Sequence, residues 1–192
     1  MLDRFSNLDD PELIRLTLEG ETKAFGALIQ RHQDRLYNNM VHMLRSDTDA
    51  EDVVQDAFVL AYTKLGSFKG NSQWFTWLYR IAYNVAVTKM RQRKPTVSLD
   101  GKPDQPKMDF PDTSSGPEDR LDREEDINEL SMAMGRLSDE HRTILILREM
   151  EELDYDAISE ILDLPIGTVR SRLHRARNQL REILETLMYR RQ

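Results

Sequence analysis

Apolar residues recur every three or four positions through most of this chain, which is the spacing of one buried stripe on an α-helix. The pattern predicts helices beginning at Asp10 and Thr48, a longer helix between them, and an aromatic-rich helix from Trp74 to Lys94. Asp10 is expected to be the N-cap ahead of a proline at the first helical position, and Thr48 opens a capping box. No segment alternates with the period of a strand, so the predicted fold class is all-α.

The second half of the chain reads as a separate helical domain that follows a change in composition. Between Pro95 and Asp119 lie five of the seven prolines, among Asp, Ser, Gly and Lys, with few large apolar residues. Such a segment buries too little apolar surface to offset its ordering entropy, so we expect a flexible linker. Helices are expected from about 118 to 134 and from 138 to about 151. The predicted organisation is two small helical domains, 1–95 and 120–192, joined by a linker over 96–119.

A helix-turn-helix is predicted in the last third of the chain. Asp154 is placed to cap a short helix. Residues 163–167 are expected to end that helix, because the residue before Pro165 avoids the helical conformation. A second helix is expected to start near Thr168. The second helix carries an apolar stripe made of Val169, Leu173, Ala176, Leu180, Ile183, Leu184 and Leu187. Its opposite face carries Arg170, Ser171, His174, Arg175 and Asn178, with Arg177 and Arg181 at one edge. A basic, hydrogen-bonding outer face is typical of a helix that enters the major groove of DNA.

The alternative interpretation of this segment is an αα-hairpin whose arginines only keep a surface helix soluble. Two features favour DNA binding over that alternative. Acidic residues are nearly absent from 168 to 181, so the arginines have no i,i+4 partners within the helix. The break between the two helices also has the length of the turn in a DNA-binding helix-turn-helix.

Amino-acid composition and charge exclude several kinds of function for this chain. The chain has no cysteine, which excludes a disulfide framework and suits a reducing cytoplasm. Its four histidines lack the spacing of metal ligands, so neither a metal nor a cofactor is predicted. We expect no membrane span, no signal peptide and no catalytic site, because neither a long apolar run nor a nucleophile–base set is found.

The net charge of −7 argues against a protein that coats nucleic acid by bulk electrostatics. The charges are segregated, however, with basic residues at 89–94 and 170–191 and acidic ones at 47–56 and 100–126. Local patches decide where a phosphate backbone can lie. An acidic chain with two basic patches therefore predicts a DNA-binding protein that needs a partner.

Aromatic and basic residues are interleaved between Phe68 and Lys94. Rings that stack on unpaired bases beside a basic track are typical of single-strand binding. Phe75, Leu78, Ile81, Ala82 and Val85 fit the core face of this helix. Four further rings, Trp74, Trp77, Tyr79 and Tyr83, do not all fit on one buried stripe, and each of them is either a stacking platform or a part of the core.

The outward residues of the helix from Thr48 are expected to be Asp49, Asp52, Gln55 and Asp56. Taken alone, an acidic strip of this kind is a solvated helix surface.

Three motifs together give a resemblance that covers nearly the whole chain. They are DAEDVVQDAF at 49–58, TWLYRIAYN at 76–84 and PIGTVRSRLHRAR at 165–177. In this order, and separated by a proline-rich segment, they resemble the bacterial RNA polymerase sigma factors of the extracytoplasmic-function class, within the sigma-70 family.

The resemblance implies a role for each motif. Asp49, Asp52, Gln55 and Asp56 would dock on the β′ clamp helices of core polymerase. The minus-ten element would be read and melted by Phe68, Lys69, Asn71, Ser72, Trp77, Arg80, Asn84, Lys89, Arg91 and Arg93. Within that set, the 66–72 loop would hold a flipped base and Asn84 would help select it. The duplex minus-thirty-five element would be read by Arg170, Ser171, His174 and Arg175, with Thr168 and Arg177 nearer the backbone.

The resemblance also implies binding partners, and the chain departs from the pattern of the family at two positions. The expected partners are core polymerase, through the β′ clamp helices and the β flap, promoter DNA, and an anti-sigma factor, which is often membrane-bound in this class. Asp163 stands where many relatives have glycine, and His174 is smaller than the aromatic residue of some relatives. The competing hypotheses are a stand-alone helix-turn-helix regulator and a helical adaptor whose basic helix binds an acidic protein.

Overall fold

A computed structural model describes the backbone of residues 3–93 and 117–189 and the side chains of 4–92 and 126–189. Within these ranges the regular elements are all helical, so the predicted all-α class is confirmed. The helices are α1 (Asp3–Ser6), α2 (Asp10–Leu18), α3 (Thr22–Leu44), α4 (Asp47–Lys64), α5 (Trp74–Arg93), α6 (Pro117–Arg136), α7 (Asp139–Leu145), α8 (Tyr155–Leu162) and α9 (Ile166–Tyr189). A 3₁₀ turn over Leu65–Ser67 follows α4, and a π-helical turn over Ile146–Met150 continues α7.

The chain separates into two compact units. The amino-terminal unit contains α1 to α5, and the carboxy-terminal unit contains α6, α7, α9 and the greater part of α8. Most of the predicted linker lies outside the described residues, but Pro117, Glu118 and Asp119 already belong to α6. The prediction that the linker extends to 119 is therefore wrong at its end, because a proline is well suited to the first turn of a helix. No helix in the described ranges is both long and apolar enough to cross a bilayer.

Two predicted helix starts are shifted. Asp9, not Asp10, caps α2, because its carboxylate accepts a hydrogen bond from the Glu12 amide at 2.9 Å, while Glu12 reaches back to the Asp9 amide. The capping box predicted at Thr48 is also wrong, since α4 begins at Asp47 and its N-cap is Ser46. Both caps use the side-chain oxygen to satisfy an orphan amide of the first turn.

The core of the amino-terminal unit forms where α3, α4 and α5 pack on one another. Its fully buried side chains include Leu28, Leu36 and Met40 of α3, Val53 and Ala57 of α4, and Leu78, Tyr79 and Ala82 of α5. Trp74 is buried as well, at 3% exposure, while Ile81 and Val85 are only half-buried. The predicted core face of α5 is therefore correct at Phe75, Leu78 and Ala82 and wrong at Ile81 and Val85, because the packed face is rotated toward the rings of Trp74 and Tyr79.

A buried arginine stabilises the carboxy-terminal unit at the junction of α6 and α7. Arg142 is 7% exposed, and its guanidinium donates to the carbonyls of Met134 and Leu137 at 3.0 and 2.9 Å. These carbonyls lie in and just after the last turn of α6, where carbonyl groups lack partners within a helix. The charge of Arg142 is thus hydrogen-bonded inside the core, which a buried cation requires.

The predicted helix-turn-helix is confirmed in α8 and α9. Asp154 caps α8 by accepting from the Ala157 amide at 2.8 Å. The second helix begins at Ile166, two residues before the predicted start at Thr168, because the Pro165 carbonyl already accepts the first helical hydrogen bonds. Asp163 ends the turn of α8 in the left-handed region, with φ at 53°. Asp163 thus adopts the conformation for which glycine is the usual residue at a helix end.

Replacing Asp163 by glycine is expected to raise the free energy of unfolding by about 0.5–1 kcal/mol, because glycine adopts positive φ without the strain of a Cβ atom. Urea unfolding followed by far-UV circular dichroism would measure the change. Tryptophan fluorescence would report separately on the surroundings of α5, since both tryptophans, Trp74 and Trp77, lie in that helix.

Asp156→Gly is the matched control, because Asp156 lies within α8 and glycine there should lower the free energy of unfolding by about 0.5–1 kcal/mol. Equal effects of the two substitutions would contradict the assignment of strain to Asp163.

Candidate DNA-binding and polymerase-docking surfaces

The outer face of α9 carries the residues predicted to read duplex DNA. Val169, Leu173 and Ala176 are buried, so the helix faces the core along the predicted stripe. Arg170, Ser171, His174, Arg175 and Arg177 are exposed, and Thr168 is half-buried. The first five therefore lie where a DNA backbone or a base edge can reach them.

Acidic partners from other helices neutralise two arginines of α9. The Arg172 guanidinium lies 3.2 Å from Glu140 Oε2, and Arg177 donates to Glu149 Oε1 at 2.6 and 2.8 Å. The absence of acidic residues from the helix itself therefore did not predict the charge of its surface. Arg175 is different, since no ion pair or ring contact is found for it among the described residues.

A tyrosine that the sequence did not single out lies beside the recognition helix. The ring of Tyr155, at the start of α8, has Arg148 at 5.3 Å and Arg170 at 5.5 Å from its centroid. Cation–π contacts of this kind hold a guanidinium in place without neutralising its charge. Arg170 is therefore oriented by its neighbour and remains able to donate hydrogen bonds. The i,i+15 spacing of Tyr155 and Arg170 carries no periodic signal that could have revealed the pair.

Four of the residues predicted to contact the minus-ten element form one stripe on α5. Trp77 and Arg80 are half-buried, and Asn84 and Arg91 are exposed. Because these positions are three, four or seven residues apart, they lie one above the next on the same side of the helix. Thr88, which is not among the predicted contact residues, continues the stripe. The side chain of Arg93 lies outside the described residues.

The loop before α5 is held by a cluster of rings. Phe68 packs edge-on against Trp74 at 5.6 Å and lies 5.3 Å from Trp77, while the two tryptophans are 5.1 Å apart. Lys69 and Asn71 are exposed and Ser72 is half-buried. Of the four rings whose role was open, Trp74 and Tyr79 belong to the core, and Trp77 keeps part of its surface accessible.

Lys89 does not lie on the stripe of α5 that contains Trp77, Arg80, Asn84 and Arg91. It is one residue past Thr88, hence about 100° around the helix, and it follows the buried stripe of Leu78, Ala82 and Ala86. Its ammonium lies 2.6 Å from Asp52 Oδ2 and 3.2 Å from Asp49 Oδ1. The hydrogen bond to Asp52 is the main cause that raises the pKa of Lys89, with Asp49 adding to it against the opposing effect of burial.

The acidic surface of α4 comprises Asp52, Gln55 and Asp56, which are all exposed. The prediction that Asp49 belongs to the outward face is wrong. Asp49 is 5% exposed, because it lies on the same side of α4 as the core residues Ala50 and Val53 and is paired with Lys89.

An apolar groove of about 660 Å³ runs between α3 and α4 beside this acidic surface. Its lining includes Phe25, Ile29 and Tyr37 of α3 and Val54, Phe58 and Tyr62 of α4. Val59 and Tyr62 are 58% and 45% exposed, which is unusual for large apolar side chains on a small unit. The groove continues to Gln55, so apolar and polar residues form one surface.

The described residues contain no cluster of three or more His, Asp or Glu side chains that could hold a metal ion. The amino-terminal unit carries an acidic and apolar surface on α4 and a basic stripe on α5, and α9 carries a basic face of its own.

Two family models match this chain over the regions just described. Residues 28–96 match Sigma-70 region 2, which includes α4, α5 and the loop between them. Residues 127–180 match Sigma-70, region 4, which includes the helix-turn-helix.

Curated relatives are similar along nearly their whole length. The ECF RNA polymerase sigma factor SigW of Bacillus subtilis (strain 168) is 35% identical over 91% of this chain and 96% of its own. The ECF RNA polymerase sigma-E factor of Escherichia coli (strain K12) is 34% identical over 95% of this chain and 98% of its own.

Solved structures give the same result. CnrH, in complex with the cytosolic domain of CnrY, matches with a TM-score of 0.67 and 25% identity over 92% of this chain and 97% of its own. The sigma factor RpoE of Bartonella quintana, in complex with the anti-sigma factor NepR, matches with a TM-score of 0.67 and 26% identity over 85% of this chain and 98% of its own. Taken with the two region matches and the surfaces on α4, α5 and α9, these similarities show that the chain belongs to the extracytoplasmic-function sigma factors of the sigma-70 family.

Proposed function

We propose that this sigma factor divides promoter recognition between its two units, with the outer face of α9 reading the duplex minus-thirty-five element and the outward stripe of α5 holding the melted minus-ten element. The observation that carries the proposal is that each basic surface lies directly opposite a buried apolar stripe of the same helix. Packing therefore fixes the direction in which the DNA-binding side chains point.

Docking on core polymerase is assigned to Asp52, Gln55 and Asp56 together with the apolar groove between α3 and α4. A stable protein interface needs a desolvated apolar centre and a polar rim, and this surface offers both. The resemblance to the family assigns the same helix to the β′ clamp helices. Asp49 is assigned a different part, since its carboxylate is buried against Lys89.

Capture of unpaired bases is assigned to Trp77 and to the loop that carries Phe68, Lys69 and Asn71. A half-buried ring keeps a rigid position and still offers a face, and a base stacked on it gains about 1–3 kcal/mol. Arg80, Asn84 and Arg91 extend along the same side of α5, where a strand leaving the loop would pass.

Readout of the duplex is assigned to Arg170, Ser171, His174 and Arg175, with Thr168 and Arg177 near the backbone. An arginine can donate two hydrogen bonds to guanine in the major groove. Arg177 is already paired with Glu149, which suits a residue that supports the helix more than one that reads a base.

Binding of both units to one polymerase would raise the effective concentration of each for its own DNA element. Melting then draws on binding energy gained only with the open strand, so the protein itself catalyses no reaction. We place the factor in the cytoplasm with polymerase. The solved structure of CnrH contains the cytosolic domain of CnrY, and that of RpoE contains the anti-sigma factor NepR. A comparable anti-sigma factor is proposed to cover the docking surface of this chain.

In vitro transcription with purified bacterial core polymerase on a promoter library tests the whole proposal. Site-selective RNA synthesis that requires this chain is expected. Transcription that is the same with and without the chain would refute the proposal.

Arg175→Ala is expected to weaken binding of the holoenzyme to its promoter by about 1–3 kcal/mol, because a contact to one upstream base pair is lost. Specificity for that base pair should be relaxed. Electrophoretic mobility shift on promoters mutated one base pair at a time would measure it. Arg181→Ala is the matched control on the same helix, outside the assigned contacts, and it should change affinity little. A uniform loss on all sequences for Arg175→Ala would assign this residue to a phosphate.

Asp56→Arg is expected to abolish co-elution with core polymerase, because a cation replaces an anion in the acidic part of the docking surface. Glu19→Arg makes the same charge change on α2 and should leave co-elution intact. Circular dichroism spectra of both variants should match the parent, and co-elution of the Asp56→Arg variant would remove the docking assignment.

Trp77→Ala is expected to reduce initiation more on duplex promoters than on pre-melted ones, because stacking on an unpaired base helps to drive melting. Trp77→Phe keeps a ring in the cluster with Phe68 and Trp74, and it should retain most of the activity. Abortive-product assays on both templates provide the measurement. Equal losses on the two templates would mean that Trp77 acts only in packing.

A further inference from the structure

One lysine joins the helix that carries the docking surface to the helix that carries the DNA-facing stripe. Lys89 of α5 contacts two carboxylates of α4, at 2.6 Å for Asp52 and 3.2 Å for Asp49. All three side chains lie at the packed boundary between the two helices. A groove of about 840 Å³ at this boundary is lined by Asp52, Asp56, Asn84 and Lys89, so docking and DNA residues share one wall.

The two carboxylates that hold Lys89 differ in access. The side chain of Asp49 is 7% exposed, so no group from outside can approach it. The side chain of Asp52 is 58% exposed, and it offers most of its surface to a second cation. Asp52 is thus both the closer partner of Lys89 and a member of the polymerase-docking surface.

The position of Lys89 on α5 explains why its ammonium reaches α4. It follows Ala86 by three residues and Ala82 by seven, so it occupies the last turn of the buried stripe. Its side chain nevertheless has four flexible carbons and is 27% exposed in the pairing. Release from Asp52 would therefore leave the ammonium on Asp49 with a donor free to turn toward solvent, without any change of backbone.

We infer that Lys89 couples polymerase docking to DNA binding: in the unbound factor Asp52 holds the ammonium away from DNA, and a basic group of polymerase that engages Asp52 frees a donor of the ammonium, which stays on Asp49, to contact a backbone phosphate. This inference rests on the proposed docking role of Asp52. Lys89 is accordingly a positioning residue in the free chain and becomes a phosphate contact only in the holoenzyme.

The coupling follows from the charges. A second cation at Asp52 weakens its pairing with Lys89, because the two cations repel each other at the short distance that both pairings require. Linkage then makes the effect reciprocal, so a DNA strand that attracts Lys89 also leaves Asp52 more available to polymerase. Neighbouring carboxylates at Asp52 and Asp56 further disfavour DNA binding by the free chain.

The first test uses the free chain and a short fluorescein-labelled single strand of mixed sequence. Asp52→Asn should raise the affinity measured by anisotropy by about twofold to fivefold, the range of an exposed ion pair, and should steepen the salt dependence by about one phosphate contact. Adding Lys89→Gln should remove that gain. Gln keeps a hydrogen-bond donor for the buried Asp49, and thermal melts would verify that the variants fold.

Asp56→Asn is the matched control, because it removes one negative charge from the same helix at a residue with no ion pair to Lys89 among the described residues. Its gain in affinity should persist in the Lys89→Gln background. If Asp52→Asn keeps its gain in DNA affinity in the Lys89→Gln background, as Asp56→Asn is expected to do, the coupling is refuted. That result would leave the proposed docking and DNA surfaces unaffected.

The second test measures binding of the chain to core polymerase in the absence of DNA. Lys89→Gln should tighten binding by about twofold to fivefold, because Asp52 loses its competitor. Lys23→Gln removes a lysine from the exposed start of α3 and should leave the affinity unchanged. Equal affinities for the Lys89→Gln and Lys23→Gln variants would overturn the inference, whereas a parent chain that fails to bind polymerase would instead overturn the proposed function.

Discussion

Each long helix of this protein can bury only one stripe of its surface, and this constraint decides where binding chemistry is possible. On α9 the buried positions are Val169, Leu173 and Ala176, so the arginines three or four residues apart on the other side must face outward. Burying a side chain such as Leu173 contributes about 1.5–3 kcal/mol, more than any exposed arginine contact within the unit could offset. The orientation of the recognition surface is therefore a consequence of core packing.

The same constraint explains how an acidic protein can present basic surfaces to DNA. The net charge of −7 is distributed so that acidic side chains cluster on α4, while basic ones occupy the outer faces of α5 and α9. Ion pairs between helices adjust this distribution further. Glu149 and Glu140 neutralise two arginines of α9, Asp49 and Asp52 neutralise Lys89, and Tyr155 orients Arg170 without reducing its charge.

The positions of helix caps and turns depend partly on local sequence and partly on tertiary context. Asp154 was identifiable as a cap from its position before an apolar-faced helix, and the structure confirms it. For α4 the sequence pattern predicted Thr48 as the start, whereas the structure has Ser46 as the N-cap. The left-handed Arg45 that ends α3 leaves Ser46 extended, so Ser46 becomes the cap. Asp163 likewise adopts the left-handed conformation expected of glycine, because the turn between α8 and α9 requires it.

The sequence by itself determined the all-α class, the helix-turn-helix, the apolar stripe of α9 and the membership of the family, because these depend on periodicity and on residues close in the chain. Only the tertiary structure decided that Asp49 and Lys89 are paired at the α4–α5 boundary, that Trp74 and Tyr79 belong to the core, and that Arg172 and Arg177 are neutralised. The physical reason is that a helical period gives the direction of a side chain relative to its own axis. The partner that a side chain meets depends on how neighbouring helices are rotated and packed, and no spacing within one helix specifies that.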